Sequence, residues 1–358
     1  MNRKRILTTS IICLLTICSL TRAEAQAQNS RGATAASYLE RGNEWMAKGE
    51  MDRAIADYDL AIAFDARIAV AYYNRGLARQ RKGDVAGALR DYSRAIELNP
   101  RYFDAYLNRG IIRHEQGQSD AAISDFNKSI EINPRDTRAW SNRGLARSNQ
   151  GDLDAAIADF SQAIKIDSRN ANAWCSRCGE RYRLGELDAA LADCDRALKL
   201  DAGLAVAWSN RGLARQWKGD VDGALADFNR AIALDPPQAA FYTNRGGAWL
   251  LKGEPDRAFD DLNHALELAP ELTEAWNHRG AVWVARRDYT RAIADFDKAL
   301  KLNPRLADAY CNRGVARLMQ GRVAEAEADF ARCRESGGKV RPEAERLWRE
   351  MKERRAPR

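Results

Sequence analysis

The residues best placed to do chemistry in this 358-residue chain are arginines and aspartates that recur at a fixed interval. An arginine returns every 34 residues, nine times in all, and an aspartate follows each arginine after 16 residues. A row of free guanidinium groups would bind acidic polypeptides or phosphate. Because every arginine has a matching aspartate, we interpret the two rows instead as an ion-pair ladder that fixes helix packing. The ladder includes Arg75 with Asp91, Arg109 with Asp125, Arg143 with Asp159, and Arg211 with Asp227.

An asparagine directly precedes the arginine in six of the nine copies. Its amide carries a donor and an acceptor, which suits the backbone of an extended peptide. On a helix this position lies about 200° from the aromatic residue two places earlier, so we expect it to face away from the packed side. The alternative is a solvated residue kept when the repeats duplicated. The six are Asn74, Asn108, Asn142, Asn210, Asn244 and Asn312.

The fifth copy differs from the others at two cysteines, Cys178 and Cys194, which replace a glycine and a bulky residue. A disulfide between them would add about 3 kcal/mol. The alternative is that the two thiols simply fill the space that the replaced pair would occupy. Cys175 and Cys178 also form a C-x-x-C motif, but without a second such motif or a nearby histidine we expect no metal site.

A catalytic constellation is not recognisable in the chain. Its three histidines, His114, His264 and His278, lie in distant copies. The sequence contains no glycine-rich phosphate loop, no G-x-S-x-G and no H-E-x-x-H. We therefore predict no catalytic residues, no cofactor and no enzymatic activity.

The elements that position these residues follow one uninterrupted frame of nine 34-residue repeats over residues 35–340. Counted from residue 35, repeat position 4 is always aromatic, position 8 is glycine in eight copies, position 20 is always alanine and position 24 is bulky in eight copies. Glycine at position 15 and proline at position 32 are typical ends of a first and a second helix. Each repeat is thus predicted to be a helix-turn-helix, with glycine and alanine allowing close approach of the two helices.

This pattern resembles the tetratricopeptide repeat family. The resemblance implies an all-α, right-handed superhelical solenoid whose first helices line a concave groove, on the side that the asparagines face. It also implies binding of peptides or protein segments without intrinsic activity. Two departures are the arginine at position 7, where the family usually has leucine, and the arginine or tryptophan at position 11, where it usually has tyrosine.

The two ends of the chain lie outside the repeat frame. Residues 1–25 have a basic start, an apolar stretch and a small-x-small site at Ala23 to Ala25, as in a secretory signal peptide. Residues 26–34 are interpreted as a linker. Residues 341–358 are predicted to form a capping helix and a basic tail, because Ala344, Leu347, Trp348 and Met351 share one helical face.

The net charge of +7 comes mainly from the two ends: residues 1–25 and 341–358 contribute three positive charges each. A nucleic-acid binder concentrates cations on one face, and the repeats are nearly neutral. We therefore expect other proteins or peptides as partners, no nucleic acid, and no integral membrane segment once the signal peptide is removed; a homo-oligomer is compatible with the sequence.

The sequence thus predicts an exported scaffold or adaptor, in the periplasm or secreted, that binds an extended polypeptide in its groove. Envelope assembly and secretion are suitable settings. The alternatives are a helical-repeat nucleic-acid-binding protein, which arginine-rich first helices would suit, and an accessory subunit of a surface polysaccharide export machine.

Overall fold

The computed structural model describes residues 34–353. The predicted signal peptide, nearly all of the linker and the last five residues of the basic tail lie outside this range. Over the described residues the chain forms nineteen helices joined by short turns, and none of these residues is in a strand. The all-α fold class predicted from the sequence is confirmed.

The described residues divide into two compact units, one up to Gly151 and one from Asp152 onward. In the described part of the first unit, repeats one to three each contribute a first and a second helix that pack against each other, and repeat four contributes its first helix. The helices are α1 Ala35–Ala47, α2 Met51–Phe64, α3 Ala69–Arg81, α4 Val85–Leu98, α5 Phe103–Glu115, α6 Ser119–Ile132 and α7 Thr137–Asn149.

The second unit begins with the second helix of repeat four and ends with an additional helix after repeat nine. The helices are α8 Leu153–Ile166, α9 Ala171–Leu184, α10 Leu187–Leu200, α11 Ala205–Trp217, α12 Val221–Leu234, α13 Ala239–Lys252, α14 Pro255–Leu268, α15 Thr273–Ala285, α16 Tyr289–Leu302, α17 Ala307–Met319, α18 Val323–Glu335 and α19 Pro342–Glu353.

Close approach of the two helices within a repeat depends on the glycine at position 8. A Cβ atom at Gly76 would lie 2.8 Å from Cε1 of Tyr92, and one at Gly212 would lie 2.7 Å from Cε1 of Phe228. Both rings are fully buried, so a larger residue would have to displace them. The ring at position 24, rather than the alanine at position 20, makes the nearest contact to the glycine.

In the turn within each repeat, the backbone at position 15 adopts the left-handed conformation, with a positive φ. Eight glycines occupy it, among them Gly83 with φ 83° and Gly219 with φ 88°, whereas repeat eight has Arg287 with φ 60°. The acidic residue that follows caps the second helix only when it is aspartate: Asp84 and Asp220 accept hydrogen bonds from backbone N–H groups of the first turn. The glutamates at this position make no such bond.

The additional helix α19 packs on the last repeat. Ala344, Leu347, Trp348 and Met351 lie against a buried cluster that includes Phe330 of α18. Two ion pairs join α19 to α18: Glu345 pairs with Arg334 and Lys352 pairs with Glu327. Among residues 34–353 no helix is both long enough and apolar enough to cross a membrane.

Candidate binding surfaces

All three guanidinium nitrogens of the arginine at position 7 donate hydrogen bonds to other side chains of the protein. In repeat six, Nε and Nη2 of Arg211 donate to the two carboxylate oxygens of Asp227, at 2.9 and 2.7 Å. The pairs Arg75–Asp91 and Arg109–Asp125 have the same bidentate geometry. Asp227 is only 2% exposed, so the carboxylate of this ion pair is buried.

The third nitrogen of this guanidinium group links neighbouring repeats. Nη1 of Arg211 donates at 2.7 Å to Asp195, at position 25 of the preceding repeat. Nη1 of Arg109 donates to Ser93, and Nη1 of Arg143 to Asn127, at the equivalent positions. The ladder therefore holds helices together both within a repeat and between repeats.

An aromatic ring at position 4 supports the same arginine. The guanidinium carbon of Arg211 lies 4.6 Å from the ring centroid of Trp208, and all nine repeats have this stacking. Burial by itself would lower the pKa of Arg211, but hydrogen bonds to Asp227 and Asp195 outweigh it, so the pKa is raised. The group stays charged, and its donors are already occupied by protein acceptors.

A second arginine, at position 11, shares the ladder aspartate, a contact that is not among the predicted pairs. Nη1 of Arg113 donates to Asp125 at 2.8 Å, and Nη1 of Arg215 lies 3.0 Å from Asp227. Where position 11 is tryptophan instead, an arginine from position 19 stacks on the indole at 4.7–4.9 Å. The sequence shows this pattern, because position 19 is arginine only in the three repeats where position 11 is tryptophan. The pairs are Trp45 and Arg53, Trp249 and Arg257, and Trp283 and Arg291.

The two members of the predicted pair Arg143 and Asp159, in repeat four, belong to different units. Arg143 on α7 donates to Asn127 at 2.6 Å and stacks on Trp140. Asp159 on α8 is 1% exposed. Their predicted pairing stays a prediction.

The asparagines at position 6 are half-buried on the first helices, and four of the six donate a hydrogen bond to the preceding repeat. Nδ2 of Asn108 donates to the hydroxyl of Tyr73 at 3.0 Å, and Nδ2 of Asn244 donates to Ser209 at 3.1 Å. Asn74 and Asn312 likewise donate to Asn43 and Asn277, whereas Asn142 donates to the carbonyl of Arg138 in its own helix. Nδ2 of Asn210 lies 3.1 Å from where a Cβ atom on Gly179 would be.

These contacts occupy the amide donors of the asparagine row. In five of the six the amide N–H₂ has a partner within the protein. The carbonyl oxygen is the group that remains to accept a hydrogen bond from a bound polypeptide. Peptide binding by this row stays a prediction.

Three of the five first helices in the second unit carry a large, exposed apolar side chain at position 13, near the helix end; the other two have Arg183 and Ala285 there. Trp217 is 71% exposed, Leu251 63% and Met319 48%. In the first unit the same position holds Ala47, Arg81, Glu115 and Asn149. Exposed large apolar side chains in register mark an interaction surface more often than scattered ones do.

Leu251 of this row also lines a cavity of about 830 Å³ in the second unit, which we call the C-terminal cavity. Its floor is formed by Gly247 and Ala281 at position 9, where most other repeats have leucine, isoleucine or valine. Its walls come from α13, α15 and α17 and from the segment before and at the start of α19. The apolar wall residues are Leu250, Leu251, Val284, Val315, Val340 and Leu347.

His278 replaces the position 6 asparagine at this cavity and packs over Gly247. Burial lowers the pKa of His278, although the carbonyl of Thr243 and the carboxylates of Glu274 and Asp308 act in the opposite direction. The ring is therefore neutral at neutral pH, and charging it costs more in the folded chain than in the unfolded chain.

We expect this histidine to make the folded state less stable in acid. Because its folded pKa lies below the unfolded value, its contribution is intact above about pH 6.5 and is lost as pH falls toward the folded pKa. Between about pH 7.5 and pH 5, wild type should lose more stability than His278→Asn, as measured by urea unfolding. Equal losses in the two proteins would contradict this prediction.

Two disulfides lie within the second unit. Cys178 on α9 is bonded to Cys194 on α10, with Cα atoms 5.4 Å apart. Cys311 on α17 is bonded to Cys333 on α18, with Cα atoms 5.3 Å apart. The second disulfide was missed, although Cys333 stands at position 27, where seven of the other eight repeats have alanine.

Cys175 is buried with a free thiol, and burial raises its pKa to about 11. A thiol with so high a pKa is a poor nucleophile and metal ligand at neutral pH. Within residues 34–353 no group of three or more histidine, cysteine, aspartate or glutamate side chains is arranged to hold a metal ion.

Comparisons with known proteins agree with this architecture. Three family models, described as tetratricopeptide repeat or TPR repeat, match residues 73–137, residues 42–83 and 283–321, and residues 137–170 and 205–237. Together these segments cover more than half of the chain. No curated protein matches it.

Two solved structures have the same fold. A tetratricopeptide repeat protein from Parabacteroides merdae is 19% identical, with a TM-score of 0.56, over 66% of this chain and 93% of its own. The APC/C hetero-tetramer Cut9–Hcn1 is similar with 16% identity and a TM-score of 0.63, over 88% of this chain and 76% of that chain.

Paired helices in a 34-residue period, with glycine packed under an aromatic ring, define a helical-repeat scaffold of the class that binds other proteins. The chain belongs to the tetratricopeptide repeat family. Members of this family generally bind proteins rather than catalyse reactions.

Proposed function

We propose that this protein is an exported scaffold that holds a partner polypeptide along the exposed face of its first helices. The observation that carries the proposal is the exposure of three apolar side chains at position 13, Trp217, Leu251 and Met319, of which Leu251 lines the C-terminal cavity. These side chains remain in water in the free protein, so covering them with a partner is favourable by about 25 cal/mol per Å² of apolar surface.

The ladder favours protein as the partner over nucleic acid. A protein that binds phosphates needs arginines that are free to donate. Here the position 7 arginines donate to aspartates and to position 25 side chains, and stack on aromatic rings. Uncommitted acceptors on the asparagines suit a polypeptide backbone better than a phosphate chain.

Export is supported by the two disulfides, since such bonds form and persist in oxidising compartments. The predicted signal peptide at residues 1–25 supports the same location. A role in envelope assembly or secretion follows as the setting we propose. We expect intact mass measurement of the chain from fractionated cells to show a start at Gln26 and two disulfides. A full-length, reduced chain in the cytoplasm would refute export.

The binding role is tested by cross-linking capture from the envelope fraction. The wild-type mature chain is compared with the triple variant Asn108→Ala, Asn142→Ala and Asn210→Ala. A matched control carries three alanines on exposed second-helix positions, Glu97, Glu131 and Lys199.

All three proteins are first checked for equal helicity and melting temperature. Loss of a discrete partner only in the asparagine variant would place the partner on the first helices. Equal capture by all three would show that the asparagine row is not the binding surface.

A further inference from the structure

The two disulfides of the second unit differ in how completely the fold covers their cysteines. Cys178 and Cys194 are both 0% exposed and lie in a buried cluster. Cys333 is also 0% exposed, whereas its partner Cys311 is partly exposed and lines the C-terminal cavity. Among the bonded cysteines that the structure describes, Cys311 is therefore the one that is open to a small molecule.

The segment that follows α18 covers Cys333. A Cβ atom on Gly338 would lie 2.7 Å from Sγ of Cys333 and 2.8 Å from Cβ of Ala307. The backbone thus passes directly over this sulfur, at a distance that only glycine permits. Two residues later the same segment reaches the cavity wall at Val340. One end of the disulfide is closed by this segment, and the other end faces the cavity.

The C-terminal cavity has room for a small molecule beside Cys311, since about 830 Å³ lies within the range of ligand pockets. Its lining includes two basic side chains, Lys339 and Arg341, and two acidic ones, Asp308 and Glu343. These charges balance, so they do not select a charged ligand. The chemically reactive group of the lining is the disulfide itself, and disulfide sulfur reacts with thiolates.

We propose that Cys311 is a site of thiol–disulfide exchange with small thiols that enter the C-terminal cavity. The thiolate attacks Sγ of Cys311 and forms a mixed disulfide with it. The bond to Cys333 breaks, and Sγ of Cys333 leaves with the electron pair and takes a proton from water. The Cys178–Cys194 disulfide is excluded from this reaction by burial. The inference is independent of the proposed binding function.

The exchange is reversible because the released cysteine stays close to the modified one. The Cα atoms of Cys311 and Cys333 are 5.3 Å apart on two helices of the same repeat. When the free thiol is removed, the Cys333 thiolate can attack the mixed disulfide, expel the small thiol and restore the original bond. The state of Cys311 therefore follows the thiol concentration around the protein.

The test starts from the oxidised mature chain, with both disulfides verified by peptide mass mapping. It is treated with β-mercaptoethanol at about pH 8, quenched with acid and N-ethylmaleimide, and mapped again. We expect the adduct on Cys311. We also expect the Cys311–Cys333 bond to open about a hundredfold faster than Cys178–Cys194, because the buried bond is reached only after local unfolding.

A cavity variant tests the route of entry. Ala281→Phe places a ring on the cavity floor and should slow the opening of Cys311–Cys333 about tenfold, with Cys178–Cys194 unchanged. The matched control is Ala233→Phe, at an exposed position of α12 away from the cavity, and it should change neither rate. Both variants are first compared with wild type by melting temperature.

The mapping experiment needs no variant, so it decides the proposal even if Ala281→Phe does not fold. The proposal is overturned if the two disulfides open at equal rates, if the adduct forms on Cys333, or if the oxidised chain lacks the Cys311–Cys333 bond. It is also overturned if a protein dithiol, too large for the cavity, opens this bond faster than β-mercaptoethanol does.

Discussion

Replacing Asp227 with alanine is expected to destabilise the second unit by about 3–5 kcal/mol. Asp227 is 2% exposed and accepts hydrogen bonds from Arg211 and an ion pair from Arg215. The substitution leaves two arginines without their shared carboxylate in a partly buried site. It also weakens the link to the preceding repeat, because Arg211 is no longer held in position to reach Asp195.

The control for this substitution lies on the same helix. The Asp222 side chain is 80% exposed and pairs with Lys252, so Asp222→Ala should cost about 1 kcal/mol or less. Because repeat arrays can unfold in parts, hydrogen exchange of α12 should accompany urea unfolding. If Asp227→Ala and Asp222→Ala are equally stable, the ladder is not a main source of stability.

Breaking the Cys178–Cys194 disulfide is the second large expected effect. Reduction should cost about 3 kcal/mol, since the bond closes a loop with a sequence separation of 16 residues. The double variant Cys178→Gly and Cys194→Phe should recover much of this loss. It restores the glycine and aromatic ring that pack together in repeats such as Gly212 with Phe228.

The measurement is urea unfolding with and without reductant, in a background that carries Cys311→Ala and Cys333→Ala. Alanine suits position 27, where most repeats already have it. The single variant Cys194→Ala serves as the control, because it lacks both the bond and the packed ring. If the double variant is no more stable than Cys194→Ala, the two cysteines do not substitute for the packing pair.

The asparagines show how sequence and structure contribute differently. Helical spacing indicates that Asn108 faces away from the aromatic position, but not what it meets there. In the structure its amide donates to Tyr73 of the preceding repeat. The choice between a groove ligand and an inter-repeat contact depends on the rotation between neighbouring repeats, and that rotation is not encoded in the period of one repeat.

The sequence by itself determined the helix pairs, the turns and the within-repeat ladder. Each depends on contacts between residues at most 16 positions apart in a fixed 34-residue frame, such as Arg75 with Asp91. Only the tertiary structure decided the sharing of Asp125 by two arginines, the Cys311–Cys333 bond and the C-terminal cavity. The cavity in particular brings together side chains of three repeats and the C-terminal segment, so its shape depends on how whole repeats stack.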